Sequence, residues 1–202
     1  MGIVTADISV TLDGYGAGPN QRFEAPFGDL DEGHLHAWMF DHADENTAEV
    51  AAITEARAFI MGRNMFSPGR GGWDLAWKGW WGDDPPYHAA VFVLTHHERE
   101  PLPMDGGTTF HFVTDGIAAA LEQAREAAGS GNVAIAGGAS TINQYLGGGL
   151  IDELRLHVVP FIGGSGGSRM FDGVPPIELS VVAARPTPHV THLTYTRPGL
   201  RP

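Results

Sequence analysis

Three short segments contain the residue types that bind phosphate groups. A double glycine at 137–138 follows an apolar, β-like run and precedes a helix-like run. Glycine lets the backbone approach an anion closely, and the beginning of a helix adds free N–H groups that point toward it. Gly62 and Arg63 follow a second β-like run, and Thr95 and His96 follow a third. The three segments therefore predict a site for a phosphate-containing ligand.

The common sequence motifs for nucleotide binding are absent. The chain has neither the G-x-G-x-x-G pattern of Rossmann folds nor the G-x-x-x-x-G-K-[ST] pattern of P-loop proteins. In an open parallel sheet the carboxyl ends of the strands lie along one edge, where ligands bind. We therefore predict an extended ligand that contacts all three segments along such an edge.

Strand-like and helix-like runs alternate along most of the chain, and strand-like runs alone follow at its end. This order is typical of an α/β protein with a mostly parallel sheet, and the final two runs indicate an antiparallel hairpin at one edge. The predicted strands are 3–12, 57–62, 89–96, 108–113, 132–137 and 151–162, with two more within 177–197 that the proline-containing segment 184–188 connects. The predicted helices are 30–43, 47–56, 115–128 and 139–149, and 70–88 is predicted as a long loop.

Size and charge limit the possible classes of function. The 202 residues, of which 43% are hydrophobic, suffice for a single domain, 1–202. The net charge of -12 disfavours nucleic acid as a partner, because binding to its backbone requires many Lys and Arg residues. The chain has no cysteine, which excludes disulfides and thiolate catalysis, and it shows no signal peptide or membrane span. We therefore expect a cytoplasmic protein.

Four blocks of the sequence resemble, in order, the blocks of one known superfamily. They are "ISVTLDGYGAGP" (8–19), "IMGRNMF" (60–66), "VFVLTHH" (91–97) and "IAGGASTINQYLGGGLIDELRLHVVPFIGGSGGSRMF" (135–171). The blocks are similar to those of the dihydrofolate-reductase-like superfamily, within it the group related to the reductase domain of the bifunctional riboflavin-biosynthesis deaminase-reductase. The resemblance implies a three-layer dihydrofolate reductase-like fold, NADPH as cofactor and a homodimer.

The resemblance also implies which residues bind NADPH. The guanidinium group of Arg63 is expected to meet the 2′-phosphate of the adenosine, because its fork of N–H donors fits a phosphate. The loop and helix at 137–141 are expected to hold the diphosphate, and the first strand and the loop at 15–18 the nicotinamide. The implied cofactor-binding residues are Ala6, Gly16, Gly62, Arg63, Asn64, Thr95, His96, Gly137, Gly138, Ala139, Ser140 and Thr141.

The implied reaction is hydride transfer from NADPH to a C=N or C=O carbon of a small heterocycle related to pterins, pyrimidines or flavins. We predict Asp31 as the proton donor, with Asp29 and Glu32 as competing carboxylates. A module that binds a dinucleotide without turnover is the alternative function, and a protein that serves mainly in subunit assembly is a third. The implied substrate-binding residues are Phe27, Leu35 and Trp38.

Tryptophans and histidines are concentrated in a few segments. Four of the five tryptophans lie at 73–81, and we expect them to form a lid or a subunit contact rather than simple core, because clustered exposed aromatic residues are typical of interfaces. Closely spaced histidines occur at 34 and 36 and at 96 and 97. His34 and His36 diverge around a helix and cannot share a ligand. We predict no metal site.

Overall fold

Strands and α-helices alternate in the described residues, 2–164 and 166–199, of the computed structural model. The longest helix has 13 residues, and no helix in these two ranges has the length and apolar character needed to span a membrane. The strands are β1 Val4–Val10, β2 Tyr15–Ala17, β3 Ala58–Gly62, β4 Ala90–Leu94, β5 Leu102–Pro103, β6 Thr109–Val113, β7 Val133–Gly137, β8 Glu153–Val158, β9 Ser168–Arg169, β10 Ser180–Pro186 and β11 Thr191–Thr196. The helices are α1 Glu32–Phe40, α2 Thr47–Ile53, α3 Arg63–Phe66, α4 Gly116–Ala128 and α5 Ala139–Gly147.

Nine of these strands form the central sheet, in the order β10-β11-β8-β1-β7-β3-β4-β6-β5. The strands from β8 to β6 in this order are parallel. β11 pairs antiparallel with β8, and β10 pairs antiparallel with β11. The predicted parallel sheet with an antiparallel hairpin at its C-terminal edge is confirmed. The opposite edge ends in the short antiparallel strand β5, which the sequence did not predict.

Side chains alternate between the two faces of the sheet and enter different clusters. On β3, Ala58 and Ile60 join α4 and α5 in the largest hydrophobic cluster, whereas Phe59 and Met61 join a second cluster on the other face. α1 covers this other face beside β1, where Trp38 belongs to a third cluster. The sheet therefore lies between two layers, α4 and α5 on one side and α1, α2 and the tryptophan-rich segment on the other.

Several element boundaries differ from the prediction for local reasons. α1 begins only at Glu32, because the Asp31 carboxylate accepts a hydrogen bond from the Gly33 N–H and caps the helix. A 3₁₀ turn at Ala43–Glu45 separates α1 from α2. The loop predicted after the first strand contains β2, which pairs with β9 in a separate two-stranded sheet. β10 continues to Pro186, into the segment predicted as the connection of the hairpin.

The tryptophan-rich segment packs onto the sheet instead of standing free of it. Trp73, Trp77 and Trp81 pack against the second hydrophobic cluster. The indole N–H of Trp77 donates to the carbonyl oxygen of Phe66 over 2.7 Å. These three side chains are half-buried against this cluster, and the expected lid or subunit contact stays a prediction. Trp80 and Trp81 also border the cavity described below.

Candidate active site

A cavity of about 750 Å³ opens along the carboxyl ends of the parallel strands. Its lining includes Gly62 at the end of β3, Leu94 at the end of β4 and Gly137 at the end of β7. α1 contributes Trp38 and Met39 from the layer above the sheet. The volume lies within the range of small-molecule and cofactor sites. The cavity thus lies at the sheet edge where the sequence predicts an extended ligand.

The loop between β7 and α5 forms one end of the cavity. Gly137 has a φ of 126°, which favours glycine, and its peptide bond to Gly138 is cis. The N–H groups of Thr141 and Ile142 donate to the Gly138 carbonyl oxygen over 2.9 and 3.1 Å. The amides of the two residues before Thr141 therefore have no partner within the helix. Free N–H groups at the positive end of a helix dipole favour an anion.

Gly62 and Gly138 leave this end of the cavity open. A Cβ atom at position 62 would lie 2.3 Å from the Oγ1 of Thr141, so a larger residue would displace this hydroxyl group. A Cβ atom at position 138 would meet nothing within 4 Å, because the residue faces open space. We call Gly62 and residues 137–141 the glycine cradle. Its free amides and open space fit a diphosphate group.

Two guanidinium groups lie beside the glycine cradle. The Cζ atom of Arg63 is 4.0 Å from the ring centroid of Trp73, and its Nη2 donates to the Gly72 carbonyl oxygen. Arg70 donates to Asn64 and also lines the cavity. Burial and, after it, the charge of Arg70 lower the pKa of Arg63. None of the ion pairs among the described residues involves either arginine. Two neighbouring cations without a carboxylate partner indicate a site for an anion such as phosphate.

Side chains from the sheet line a second part of the cavity, which we call its other end. The Oδ1 of Asp7 on β1 lies 3.6 Å from the Nε2 of His157 on β8, and both residues line the cavity. We call these two residues the carboxylate–histidine pair. The ring of Trp38 packs 4.5 Å from that of His157, and its indole N–H donates to the Oγ of Ser9 over 2.9 Å. Burial and, after it, the charge of His157 lower the pKa of the neighbouring His36 to about 4, so His36 is neutral at neutral pH.

Most of the predicted site residues line this cavity. Three do not, and for two of them the side chain belongs to the core: Ala6 faces α4 and α5 in the largest cluster, and Leu35 of α1 lies in the third cluster. Phe27 and Trp38 of the predicted substrate-binding set line the cavity. The predicted cofactor-binding residues that line it are Gly16, Gly62, Arg63, Asn64, Thr95, His96, Gly137, Gly138, Ala139, Ser140 and Thr141.

Asp31, the predicted proton donor, lies outside the cavity lining. Its side chain is 61% exposed, caps α1 through the Gly33 N–H and lies 2.7 Å from the Nδ1 of His34. These hydrogen bonds, that from His34 first, lower the pKa of Asp31. A carboxylate that remains ionised outside the cavity has no proton to give to a bound substrate. Of its two competitors, Asp29 is also outside the lining and Glu32 is within it.

Sequence reasoning missed the carboxylate–histidine pair and Arg70. Asp7 and His157 each interrupt a β-like run of mostly apolar residues, and the alternation of these strands places both on the sheet face turned toward α1. A charged residue within a buried strand was the available signal for Asp7. Arg70 lies in the segment predicted only as a loop, so no local pattern connected it with Arg63.

A group of possible metal ligands occurs elsewhere, near the β10–β11 turn. His42, Glu45 and His189 place ligand atoms within 4.8 Å of one another. The rings of His42 and His189 are stacked, with centroids 3.6 Å apart and planes 7° from parallel, so their nitrogens do not converge on one ion. His34 and His36 diverge as predicted: one contacts Asp31 and the other lines the cavity. The absence of a metal site stays a prediction.

Solved structures similar to this chain come from proteins associated with riboflavin biosynthesis. A protein of Shewanella sp. PV-4 assigned to riboflavin biosynthesis has a TM-score of 0.62 and 22% sequence identity, with 96% of this chain and 98% of that chain covered. RibD of Acinetobacter baumannii has a TM-score of 0.58 and 14% identity, with 97% of this chain and 58% of that chain covered. A third structure is that of the diaminohydroxyphosphoribosylaminopyrimidine deaminase/5-amino-6-(5-phosphoribosylamino)uracil reductase of Thermotoga maritima. It has a TM-score of 0.58 and 14% identity, with 97% of this chain and 56% of that chain covered. This chain therefore spans little more than half of the length of the last two proteins.

The comparisons support the fold and the family. A search of curated protein sequences finds no match. The similar solved structures and the observed sheet show the dihydrofolate reductase-like fold of RibD reductase domains. The family model described as "RibD C-terminal domain" matches residues 3–193. Because this match includes nearly all of the chain, the protein belongs to the RibD C-terminal domain family.

Proposed function

We propose that this protein is an NADPH-dependent reductase that delivers hydride to a C=N or C=O carbon of a small heterocyclic substrate. The observation that carries the proposal is that one cavity contains both the glycine cradle with its two arginines and the carboxylate–histidine pair. A reductase needs a site for the cofactor phosphates and, beside it, a group that supplies a proton. Membership of the RibD C-terminal domain family supports this function, and the similar Thermotoga protein is named a reductase.

The residues around the glycine cradle suit NADPH in two ways. The amides that begin α5 fit the diphosphate, and the paired guanidinium groups of Arg63 and Arg70 fit the 2′-phosphate that distinguishes NADPH from NADH. Bound NADPH supplies the hydride, and the chain positions the two reactants and shields them from water. Trp80 and Trp81 contribute apolar walls to this shielding.

The lining at the carboxylate–histidine end favours a substrate without a phosphate group. Among the described residues that line the cavity, the only Lys or Arg residues are Arg63 and Arg70, both beside the glycine cradle. The lining also contains two carboxylates, those of Asp7 and Glu32. Arg22, which precedes α1 in the chain, pairs with Asp29 outside the lining. We therefore propose an uncharged or basic heterocycle as the substrate class.

A paired titration with NADPH and NADH tests the cofactor assignment. Quenching of tryptophan fluorescence reports binding, because Trp80 and Trp81 border the cavity. We expect NADPH to bind at least about tenfold more tightly than NADH, since hydrogen bonds to charged groups contribute roughly 1.5–3 kcal/mol. Failure of both nucleotides to bind would reject the reductase and favour a role in subunit assembly.

A substrate screen then tests turnover. NADPH oxidation is followed with 7,8-dihydrofolate, with 5-amino-6-(5-phosphoribosylamino)uracil and with its dephosphorylated form. We expect the dephosphorylated pyrimidine to react faster than its phosphate ester, because no Lys or Arg residue lines the cavity beside the carboxylate–histidine pair. Tight NADPH binding without oxidation by any heterocycle would favour the alternative function, a module that binds the dinucleotide without turnover.

The oligomeric state predicted from the family resemblance, a homodimer, also stays a proposal. β10 is the edge strand of the sheet, and all seven of its residues are exposed. Val181 is 69% exposed and Val182 is 39% exposed, which is unusual for neighbouring apolar residues on a long edge strand. Analytical ultracentrifugation of the wild type and of Val181→Lys is the test, with a monomeric wild type as the contradicting result.

A further inference from the structure

A buried polar chain connects the floor of the cavity with α2. The side chains of Asp7 and His157 are 9% and 3% exposed, and the Asp7 Oδ1 and His157 Nε2 have no hydrogen-bond partner among the described residues. His157 Nδ1 lies 2.8 Å from His192 Nδ1, and His192 Nε2 lies 2.8 Å from the Oδ1 of Asn46. Buried polar atoms without partners are rare and call for an explanation.

The hydrogen bonds between these buried polar side chains determine which atom carries each proton. The Nδ2 of Asn46 donates to the carbonyl oxygens of Trp38 and His42, so its Oδ1 faces His192 and can only accept. His192 Nε2 is therefore the donor. Burial and, after it, the charge of His157 lower the pKa of His192, so this ring is neutral and its Nδ1 accepts. His157 Nδ1 must then donate to it, which leaves His157 Nε2 to face Asp7.

The contact between Asp7 and His157 therefore depends on one more proton. With a neutral His157 and an ionised Asp7, two acceptors would face each other in a buried site, which is costly. Charge balance leads to the same result. Arg155 contacts Glu153 at 2.6 Å and Asp7 at 3.5 Å, so two carboxylates share one guanidinium group. A proton on the carboxylate–histidine pair makes the net charge of these four side chains zero.

We propose that the carboxylate–histidine pair holds one proton at the cavity floor, resting on His157 as an imidazolium beside the Asp7 carboxylate, and donates it to the substrate. The proposal rests on the proposed function. Asp7 is the more exposed member and provides the exit to the cavity. β1 pairs with β7 through Ala6 and Ile135, so Asp7 lies beside Ala136, which precedes the glycine cradle directly.

The atoms balance in the proposed step. The hydride that NADPH supplies goes to the carbon of the C=N or C=O bond, and the proton of the pair goes to its nitrogen or oxygen. The double bond becomes a single bond, the substrate is reduced and NADPH is oxidised to NADP⁺. Solvent returns the proton to the pair through the open cavity.

The protonation state is tested first, without any substrate. Isotope-edited NMR of histidine-labelled protein reports whether each ring nitrogen carries a proton, and His157→Gln assigns the signals. At neutral pH we expect His157 of the wild type to carry protons on both nitrogens. In Asp7→Asn we expect the Nε2 proton to be lost, because the amide N–H₂ can donate to Nε2. A wild-type His157 that is neutral, or one that Asp7→Asn does not change, would overturn the proposal.

Turnover is tested next, with the heterocycle that is most active in the screen. General acid catalysis contributes roughly 100-fold or more, so we expect Asp7→Asn to lower the single-turnover rate by that factor and to flatten its pH profile. The profile of the wild type includes the influence of every titratable or charged group near the pair, namely Arg155, Glu153, His36 and His192, with Glu49 and Arg185 beyond His192.

Matched controls separate this proposal from the proposed function. Asp31→Asn removes a carboxylate outside the cavity lining, and we expect it to retain the wild-type rate and pH profile. NADPH affinity and melting temperature are measured for each variant, and His157→Gln serves as a second variant if Asp7→Asn does not fold. A wild type that binds no NADPH would reject the reductase. NADPH binding with equal rates for the wild type and Asp7→Asn would reject only the proton-donating pair.

Discussion

The two ends of the cavity are built in different ways. At the glycine cradle the contacts come mostly from the backbone at the end of β7 and the beginning of α5, and all of its residues except Gly62 are consecutive in the chain. At the other end the contacts come from the side chains of Asp7, His157 and Trp38, which belong to β1, β8 and α1. The first end requires one local conformation. The second requires that β1 and β8 be neighbours in a defined register.

This difference explains which part of the site the sequence predicts. A backbone site leaves a local pattern, because glycines and a helix beginning must follow a strand, and the residues at 137–141 have that pattern. A side-chain site leaves no such pattern, since Asp7 and His157 meet only after the chain has formed the sheet. If this interpretation is correct, substitutions at one end should leave the function of the other end intact.

Trp38→Ala should produce the largest loss in the free energy of unfolding and little change in NADPH affinity. Trp38 is 1% exposed, and removal of a buried aromatic side chain costs about 3–5 kcal/mol in the free energy of unfolding. Urea denaturation measures this loss, and fluorescence titration measures NADPH affinity in the folded protein. Trp38→Phe is the matched control, because it retains an aromatic ring; we expect a smaller loss, from the missing hydrogen bond to Ser9 and the smaller ring. A folded Trp38→Ala that no longer binds NADPH would show that the two ends are not separable.

Arg63→Ala should lower NADPH affinity at the glycine cradle and leave the carboxylate–histidine pair unchanged. We expect a loss of roughly 10- to 100-fold in NADPH affinity, because a bond from a guanidinium group to phosphate contributes about 1.5–3 kcal/mol, and little change for NADH. Titration with both nucleotides measures the difference. Arg22→Ala is the control, because this arginine pairs with Asp29 outside the cavity lining. Equal losses for NADPH and NADH would contradict the 2′-phosphate site.

The same contrast between local and non-local signals applies to the fold. The strands of the parallel sheet are contiguous β-like runs, and the final hairpin has its own turn, so both could be predicted. β2 and β9 could not, since each has at most three residues and exists only because the other lies opposite. Asp31 shows the limit for a single residue: its type suits both a helix cap and a proton donor, and only its exposure and hydrogen bonds favour the cap.

Gly62→Ala tests how closely the backbone of the glycine cradle is packed. Because its Cβ would lie 2.3 Å from the Oγ1 of the buried Thr141, we expect a loss of about 1–3 kcal/mol in the free energy of unfolding. Adding Thr141→Ala removes the clash and should restore part of this loss, as urea denaturation of both single variants and the double variant would show. Gly147→Ala is the control, since its Cβ would meet only ordinary contact, 3.6 Å from Pro175. Additive losses in the double variant would contradict the close approach.

His36 gives the smallest expected effect and locates acid sensitivity at the carboxylate–histidine end. Its pKa is lowered from 6.5 to about 4 in the folded protein by burial and, after it, by the charge of His157. Between these values the unfolded chain binds more protons than the folded one, so the free energy of unfolding decreases as the pH falls, by at most about 1.4 kcal/mol per pH unit for one proton. His36→Gln should reduce this slope by up to one proton, as urea denaturation across this pH range would measure. Since His36 lies beside the carboxylate–histidine pair, the ratio of NADPH to NADH affinity should stay constant in the variant. Equal slopes of the free energy of unfolding against pH for the wild type and His36→Gln would show that His36 is not buried as a neutral ring.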